Sequence, residues 1–242
     1  MPNQQPEIIV VDFDAGNLRS VRRALEAVGQ QVRVSSDPRE VERAQALVLP
    51  GVGSAQDCMR KLVALRLVGP LRDYAASGRP FLGVCVGMQL LFDGSEEGGG
   101  VDCLGILPGA VRLFEGDVAL KVPQIGWNQV WLKYDHPLLD GIPGGSYFYF
   151  VHSYYVEPSE PELTLGQADY GIDFAAIVAR ENVVATQFHP EKSADVGLRL
   201  YRNFGRIAER SSQLSALSPQ PLVSARVGKP ADLTSARLTA DC

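Results

Sequence analysis

An apolar run that ends in the pattern Gly-x-Cys-x-Gly is the feature of this sequence that most constrains its fold. Residues 80–84 predict a buried strand, and Cys85 follows it directly, between Gly83 and Gly87. This spacing is typical of a tight turn from a strand into a helix, because small neighbours permit the turn. Such a turn lifts the side chain of the central residue, here the Cys85 thiol, out of the sheet. The pattern predicts an α/β chain with Cys85 at the carboxyl end of a strand.

Strands and helices alternate through the first third of the chain. Apolar runs typical of buried strands lie at 7–12, 31–34, 46–49 and 80–84. Helical periodicity is expected between them, at 17–29 with Asn17 as the cap, in a short helix from Pro38, and from about 56 to 76. Repeated β-α-β units imply a parallel sheet with helices on both faces. Ligands of such sheets bind at the carboxyl ends of the strands, where Cys85 lies.

The middle of the chain has a different pattern. Short alternating segments separated by Gly and Pro predict an additional antiparallel β portion, at 110–114, 118–121, 127–132 and 146–151. One more strand at 182–188 precedes His189, and a last helix is expected from about 194 to 209. We therefore expect one domain over residues 7–209, an N-terminal extension over 1–6, and a low-complexity, disordered tail over 211–242.

Composition excludes several functional classes. The 242 residues carry a formal net charge of -5, which argues against nucleic acid or an anionic membrane as a partner. The four cysteines lack metal-ligand spacing, so neither a metal nor a cofactor is expected, and Cys58 and Cys103 are expected to be structural. Neither a signal peptide nor a membrane-spanning stretch is recognisable. A cytoplasmic protein with reduced thiols is expected.

His189 and Glu191 can supply the base and the orienting group that a nucleophilic cysteine needs. Pro190 favours an extended conformation at His189, so that Glu191 can reach the imidazole ring. A carboxylate on one ring nitrogen fixes the tautomer and leaves the other nitrogen to exchange a proton with Cys85. A helix expected at 86–92 would favour the thiolate through its N-terminal dipole. These residues predict a Cys-His-Glu triad for acyl transfer.

A glycine-containing loop completes the candidate site. Gly51, Val52 and Gly53 follow the strand at 46–49, and their backbone N–H groups would form an oxyanion hole with that of Val86, each donor contributing about 3 kcal/mol. Taken singly, such motifs are commonly core cysteines, plain turns or solvated loops. Their coincidence at one sheet edge favours catalysis. Two other histidines lack this support. His152 is expected to be a core or substrate-side residue, and His136 is expected to be a turn residue.

In this order, the three motifs resemble the class I (triad) glutamine amidotransferases. That family's signature is P-G-V-G, then G-V-C-V-G-M-Q, then Q-F-H-P-E-K-S, and the resemblance covers about residues 7–208. It implies a flavodoxin-like fold and a glutaminase in which Cys85 attacks the side-chain amide of L-glutamine, His189 shuttles protons and Glu191 orients His189. It also implies that Gln89 helps to hold glutamine, together with the Pro50 to Gly53 loop.

Three further segments, at 12–20, 121–128 and 149–154, resemble the glutaminase subunits of imidazole glycerol phosphate synthase. The resemblance implies a heterodimer in which ammonia passes to a (β/α)8 cyclase subunit. That subunit produces imidazole glycerol phosphate and aminoimidazole carboxamide ribonucleotide for histidine biosynthesis. The residues implied at the substrate side or the partner interface are Gln124, Trp127, Asn128, His152, Ser153, Tyr154 and Lys192. Phe13, Asp14 and Gln124 depart from the residues usual in these subunits.

Other functions are compatible with the same motifs. One is an amidotransferase subunit of another synthase, and a second is a stand-alone γ-glutamyl hydrolase. A third, from another class, is a non-catalytic interaction module built on the same scaffold. Stimulation of glutamine hydrolysis by a (β/α)8 partner would support a glutaminase subunit of imidazole glycerol phosphate synthase, whereas full hydrolysis by the isolated chain would favour the stand-alone enzyme. Covalent labelling of Cys85 by an electrophilic glutamine analogue would reject the non-catalytic module.

Overall fold

A parallel sheet extended by antiparallel strands is seen in the computed structural model, which describes residues 5–14, 16–115 and 121–217, with side chains up to residue 214. In chain order the strands are β1 (Glu7–Val11), β2 (Gln31–Ser35), β3 (Ala46–Gly51), β4 (Phe81–Cys85), β5 (Gly94–Ser95), β6 (Val101–Asp102), β7 (Gly109–Leu113), β8 (Gln124–Leu132), β9 (Ser146–His152), β10 (Tyr154–Pro158), β11 (Thr164–Asp169), β12 (Asp173–Arg180) and β13 (Val183–Thr186). The α-helices are α1 (Leu18–Ala27), α2 (Pro38–Arg43), α3 (Ala55–Ala64), α4 (Val68–Ala76), α5 (Val86–Gln89) and α6 (Ala194–Leu217).

The parallel part of the sheet has the strand order β2-β1-β3-β4-β13. This is the flavodoxin-like order, in which ligands bind beyond the carboxyl ends of the strands. Strands β3, β4 and β13 are buried along their whole length, as expected for apolar runs in a sheet covered on both faces. The predicted α/β fold is therefore confirmed.

The antiparallel strands continue from β13. Strand β12 pairs antiparallel with β13, and β10, β7, β5 and β6 follow in that order, with β5 parallel to β7 and the other neighbours antiparallel. Strand β11 pairs with β12 and with β8, and β8 forms a long hairpin with β9. The predicted antiparallel segments at 110–114, 127–132 and 146–151 correspond to β7, β8 and β9, whereas residues 118–120 lie outside the described part.

The sequence predicted one long helix from about 56 to 76, and this prediction was wrong. The structure has two helices there, α3 and α4, because Arg66 adopts a positive φ of 58° that a continuous helix does not allow. Apolar residues recur on both sides of this break, so periodicity alone does not reveal it. The helix predicted at 86–92 is also shorter, since α5 ends at Gln89.

The last helix extends further than the sequence predicted. Helix α6 continues to Leu217 instead of ending near 209, so residues 211–217 are helical and do not belong to a disordered tail. The rest of that expected tail, 218–242, and residues 1–4 of the expected N-terminal extension lie outside the described residues. Within the described part, no helix combines the length and the apolar character needed to cross a bilayer.

Candidate active site

Cys85 occupies a strained turn between β4 and α5. Its φ of 55° and ψ of −115° are unusual for a residue with a side chain, and such a conformation costs about 1–3 kcal/mol. Close backbone packing supports it: a Cβ on Gly87 would lie 1.9 Å from the Leu49 carbonyl oxygen, and one on Gly51 would lie 2.7 Å from the Gly87 nitrogen. Glycine is therefore required at both positions, and the structure has the turn that the sequence predicts.

His189 lies beyond the carboxyl end of β13, at the same sheet edge as Cys85. Its backbone N–H donates to the Tyr149 carbonyl (3.0 Å), and its carbonyl accepts from the Ser193 hydroxyl (2.7 Å). Its Nδ1 lies 2.7 Å from Oε1 of Glu191. Its Nε2 is buried and has no partner among the described residues. The ring is thus fixed by its backbone and by Nδ1, which leaves Nε2 available for chemistry.

The contact between His189 and Glu191 forms through a different backbone than expected. Residues Pro190–Lys192 form a turn of 3-10 helix, and the extended conformation ends at His189. Proline at the first position of the turn suits this geometry, because its fixed φ is helical and it has no N–H to leave unpaired.

The Glu191 carboxylate is fully buried and has three side-chain donors. Its Oε1 accepts from Nδ1 of His189 and from Nδ2 of Asn17, and its Oε2 accepts from the Tyr201 hydroxyl at 3.0 Å. Asn17 does precede α1, as predicted, but its side chain makes no capping hydrogen bond and serves Glu191 instead. Tyr201, on α6, was not predicted, since no local pattern links it to the motif around His189.

The surroundings favour the charged forms of both groups. Burial disfavours protonated His189, but its contacts with Cys85 and Glu191 outweigh burial and raise the pKa of His189. Burial likewise opposes ionisation of Glu191, yet hydrogen bonding and charge from His189, with the Asn17 amide, hold the pKa of Glu191 below its usual value. Both shifts favour an imidazolium beside a carboxylate in a site shielded from water.

A cavity of about 420 Å³ opens beside Cys85 and His189. Its wall includes most of the other residues that the sequence predicts for the site: Val52, Gly53, Val86, Gln89, His152, Ser153, Tyr154 and Lys192. It also includes Glu97, which the sequence did not indicate and whose Oε2 accepts from the Ala55 N–H at 2.6 Å. A larger cavity of about 780 Å³ lies between residues 132–143 and α6, and it is not lined by any of the predicted site residues.

His152 is a neutral buried residue in the cavity wall. Its Nδ1 lies 2.8 Å from the Tyr154 carbonyl, which can only accept, so Nδ1 carries the proton. Burial lowers the pKa of His152 to about 4, and its Nε2 has no partner within the described structure. Gln124 lies opposite His152 in the β8–β9 ladder, and its buried Oε1 is also unpartnered there. Two buried acceptors thus lie side by side near the site.

The remaining predicted residues lie elsewhere. Trp127 and Asn128 are on β8, where Trp127 is exposed and the Asn128 amide donates to the Asp169 carbonyl at 2.8 Å. His136 begins a turn, as predicted, and its Nδ1 accepts from a backbone N–H. Cys58 and Cys103 are free thiols, and burial raises the pKa of Cys58 to about 12 and that of Cys103 to about 11. The described residues contain no cluster of side chains suited to a metal ion.

A family model described as "Glutamine amidotransferase class-I" matches residues 9–207. Among curated proteins, the chain is 50% identical to an imidazole glycerol phosphate synthase subunit HisH from Syntrophotalea carbinolica, over 82% of this chain and 98% of that protein. It is 49% identical to the HisH subunit of Aquifex aeolicus, over 84% and 97%.

Solved structures share the fold at lower sequence identity. The crystal structure of a glutamine amidotransferase matches with a TM-score of 0.65 and 20% identity, over 83% of this chain and 98% of that chain. PurLQS from Thermotoga maritima matches with a TM-score of 0.66 and 19% identity, over 83% and 98%.

Proposed function

The chain belongs to the class I glutamine amidotransferases and, among them, to the HisH subunits of imidazole glycerol phosphate synthase; on this basis we propose that Cys85 hydrolyses glutamine and that the ammonia passes to a cyclase partner. One observation carries the assignment of roles: the imidazole of His189 is fixed through Nδ1 by the buried Glu191 carboxylate at 2.7 Å, while Nε2 remains unpartnered near Cys85. This is the arrangement that a nucleophile, a proton carrier and an orienting group require.

In the first half of the reaction, the Cys85 thiolate attacks the side-chain carbonyl carbon of glutamine. The sulfur–carbon bond forms, and the carbonyl electron pair moves to oxygen. Backbone N–H groups of Val86 and of the loop from Gly51 to Gly53 stabilise this oxyanion, each by about 3 kcal/mol. The carbon–nitrogen bond then breaks, and Nε2 of His189 gives its proton to the leaving nitrogen, which departs as ammonia.

In the second half, water replaces ammonia. Neutral His189 takes a proton from the water as its oxygen attacks the thioester carbon. The sulfur–carbon bond breaks, the new carboxyl group releases the remaining proton of the water to solvent as glutamate leaves, and Cys85 returns as the thiolate beside protonated His189. The Glu191 carboxylate keeps the proton on Nδ1 throughout and stabilises the imidazolium whenever it forms.

The charges in the cavity wall suit the free amino acid. Glu97 contributes a carboxylate to the wall, and it would pair with the α-ammonium group of glutamine. His152 and Gln124 present unpartnered acceptor atoms, Nε2 and Oε1, near the cavity. Ammonia carries N–H donors, so hydrogen bonds to these two acceptors would favour its departure past His152 and Gln124.

One face of the β8–β9 hairpin is suited to dock the cyclase. Alternation along the strands places Ile125, Trp127, Tyr147, Tyr149 and Val151 on the same face, which we call the docking face. Ile125, Trp127 and Tyr147 are 64%, 53% and 55% exposed, which is unusual for large apolar side chains on one surface. Exposed aromatic residues of this kind are common anchors of protein interfaces.

Lys192 connects the cavity to the docking face. It lines the cavity, and its Nζ lies 5.8 Å from the centre of the Tyr149 ring. A cyclase subunit of (β/α)8 architecture bound here would receive ammonia from the cavity. It would use the ammonia to form imidazole glycerol phosphate and aminoimidazole carboxamide ribonucleotide in the cytoplasmic pathway to histidine. We place the catalytic domain within residues 7–209.

Replacement of the nucleophile tests the proposal. In the complex with the cyclase, Cys85→Ala is expected to abolish synthesis with glutamine while leaving synthesis with added ammonia intact, because only glutamine hydrolysis requires the thiolate. Cys103→Ala is the matched control, since it removes a buried free thiol whose sulfur contacts the Val101 carbonyl and does not line the cavity. Loss of both activities in Cys85→Ala would contradict this division of labour. Full glutaminase activity of the isolated chain would favour a stand-alone hydrolase.

A further inference from the structure

A chain of buried hydrogen bonds ends at the sulfur of Cys85. The Nε2 group of Gln89 donates to the Tyr154 carbonyl at 3.0 Å and to Oε1 of Gln187 at 3.1 Å. The Nε2 group of Gln187 in turn lies 3.9 Å from Sγ of Cys85, within hydrogen-bonding reach of the larger sulfur atom. Gln187 is fully buried, and Gln89 is nearly so.

The direction of this chain is set at Tyr154. A backbone carbonyl can only accept, so the atom of Gln89 that faces it must be the amide nitrogen. The second hydrogen of that nitrogen points to Gln187, which must therefore present its oxygen. The nitrogen of Gln187 is then left to face Cys85. The carbonyl itself is held in place, because Tyr154 pairs with Leu113 in the β10–β7 ladder.

Reversal of either amide is unfavourable. If the Gln187 amide turned over, its nitrogen would face the nitrogen of Gln89, and its oxygen would face the Cys85 sulfur. Two buried donors would then lack an acceptor, which costs about 1–3 kcal/mol for each group. The oxygen would also repel a thiolate. The network therefore presents an N–H group, and not a carbonyl, to the nucleophile.

We propose that Gln187 is a second donor to the Cys85 thiolate, beside His189, and that Gln89 is a positioning residue that fixes the orientation of Gln187. The proposal rests on the assignment of Cys85 as the nucleophile. His189 both stabilises the thiolate and transfers protons, whereas an amide at neutral pH does not gain or lose one. Gln187 therefore acts on the thiolate alone. The donor nitrogen of Gln89 is engaged within the protein, so only its oxygen is left to contact glutamine.

Alkylation of Cys85 by iodoacetamide in the full-length chain measures thiolate stabilisation without any glutaminase step. In Gln187→Met, which has similar length but no donor, the rate at pH 7 is expected to fall about tenfold, as for loss of a hydrogen bond to a charged group. In Gln187→Glu, which keeps the oxygen for Gln89, the fall is expected to be larger. At a pH at which the thiol is fully ionised, Gln187→Met should react no more slowly than the wild type, because a thiolate with one donor fewer is the stronger nucleophile. Mass spectrometry identifies the labelled cysteine.

Two further variants make the result decisive. Thr186→Val is the matched control, because Thr186 is the buried residue immediately before Gln187 and its hydroxyl donates to the Phe188 carbonyl. It should leave the rate unchanged. Gln89→Met removes the group that orients Gln187, and it should slow alkylation at pH 7 by a smaller factor. It decides the question if Gln187→Met does not fold.

The outcomes separate this proposal from the proposed function. Selective labelling of wild-type Cys85 combined with an unchanged rate at pH 7 in Gln187→Met, or in Gln89→Met where the former does not fold, would overturn the role of Gln187 alone. A slower rate in Gln187→Met that persists at high pH would also overturn it, since the change would then be one of access. If Cys85 reacts no faster than the buried thiols Cys58 and Cys103, the assignment of the nucleophile fails as well.

Discussion

Glu191→Gln provides the sharpest test of how the triad works, because the structure dictates which way the new amide must point. In the native protein, Oε1 of Glu191 accepts from two nitrogen donors, on His189 and on Asn17, and Oε2 accepts from the Tyr201 hydroxyl. A glutamine that keeps its oxygen toward the nitrogen donors satisfies both of them. Its NH2 group then faces Tyr201, whose hydroxyl can rotate to accept. The opposite orientation would place donors against donors.

The magnitude follows from this orientation. The proton stays on Nδ1 of His189, so the variant avoids the roughly 10⁴-fold loss that follows when a replacement imposes the wrong tautomer. What is lost is the negative charge beside the imidazolium. A hydrogen bond to a charged group exceeds a neutral one by about 1–2 kcal/mol, which corresponds to a fall in kcat of about 5-fold to 30-fold. KM should change by less than about twofold, because no contact with glutamine is altered.

The assay is glutamine hydrolysis by the complex with the cyclase, with kcat and KM determined separately across pH. Glu191 raises the pKa of His189, so the variant should have a lower pKa at that residue. The imidazolium that protonates the leaving nitrogen is then lost at lower pH, and the alkaline limb of the kcat profile should move downward in pH. Glu26→Gln, on an exposed ion pair with Arg22, is the matched control and should have no effect. An unchanged kcat, or a loss confined to KM, would refute the reasoning.

Three further substitutions have defined outcomes. Tyr201→Phe leaves Oε2 of Glu191 without its donor, so kcat for glutamine in the complex should fall about 3-fold to 10-fold with little change in KM. Gly87→Ala forces a methyl group against the Leu49 carbonyl, and urea unfolding should show a loss of about 3 kcal/mol in stability. Trp127→Ala removes an exposed aromatic anchor, so titration calorimetry should show cyclase binding weakened by about 2 kcal/mol while the thermal unfolding of the isolated chain is unchanged.

The parts of the site that the sequence predicts are those encoded in short segments. The turn at Cys85 follows from an apolar strand and two glycines. The closeness of His189 and Glu191 in the sequence predicts their pairing, although a 3-10 turn and not an extended segment brings them together. Parallel strands then bring both segments to one sheet edge, because strand direction fixes which ends meet. The local pattern and the strand direction together were sufficient to predict the turn at Cys85 and the position of His189 and Glu191 at the same sheet edge.

The residues that sequence reasoning missed act across long separations. Tyr201 reaches Glu191 from α6, and Gln187 is linked to Cys85 across 102 positions of the chain. Each has both polar and apolar neighbours in the sequence, so that burial with a partner and exposure to solvent look alike. The break at Arg66 was missed for another reason, since the apolar period continues through it. Neither kind of feature has a local signature that pattern alone can read.

The geometry also explains how a docking face can bear on catalysis without contacting the substrate. Tyr149 contributes its ring to the docking face, where it packs edge to face on Trp127 at 6.1 Å. Its backbone carbonyl accepts from the His189 N–H at 3.0 Å, and its own N–H donates to the Ser193 hydroxyl, which in turn donates to the His189 carbonyl. The backbone of His189 is thus held at its N–H by Tyr149 directly and at its carbonyl through Ser193. We therefore expect a partner that shifts β9 on docking to change the position of His189 relative to Cys85.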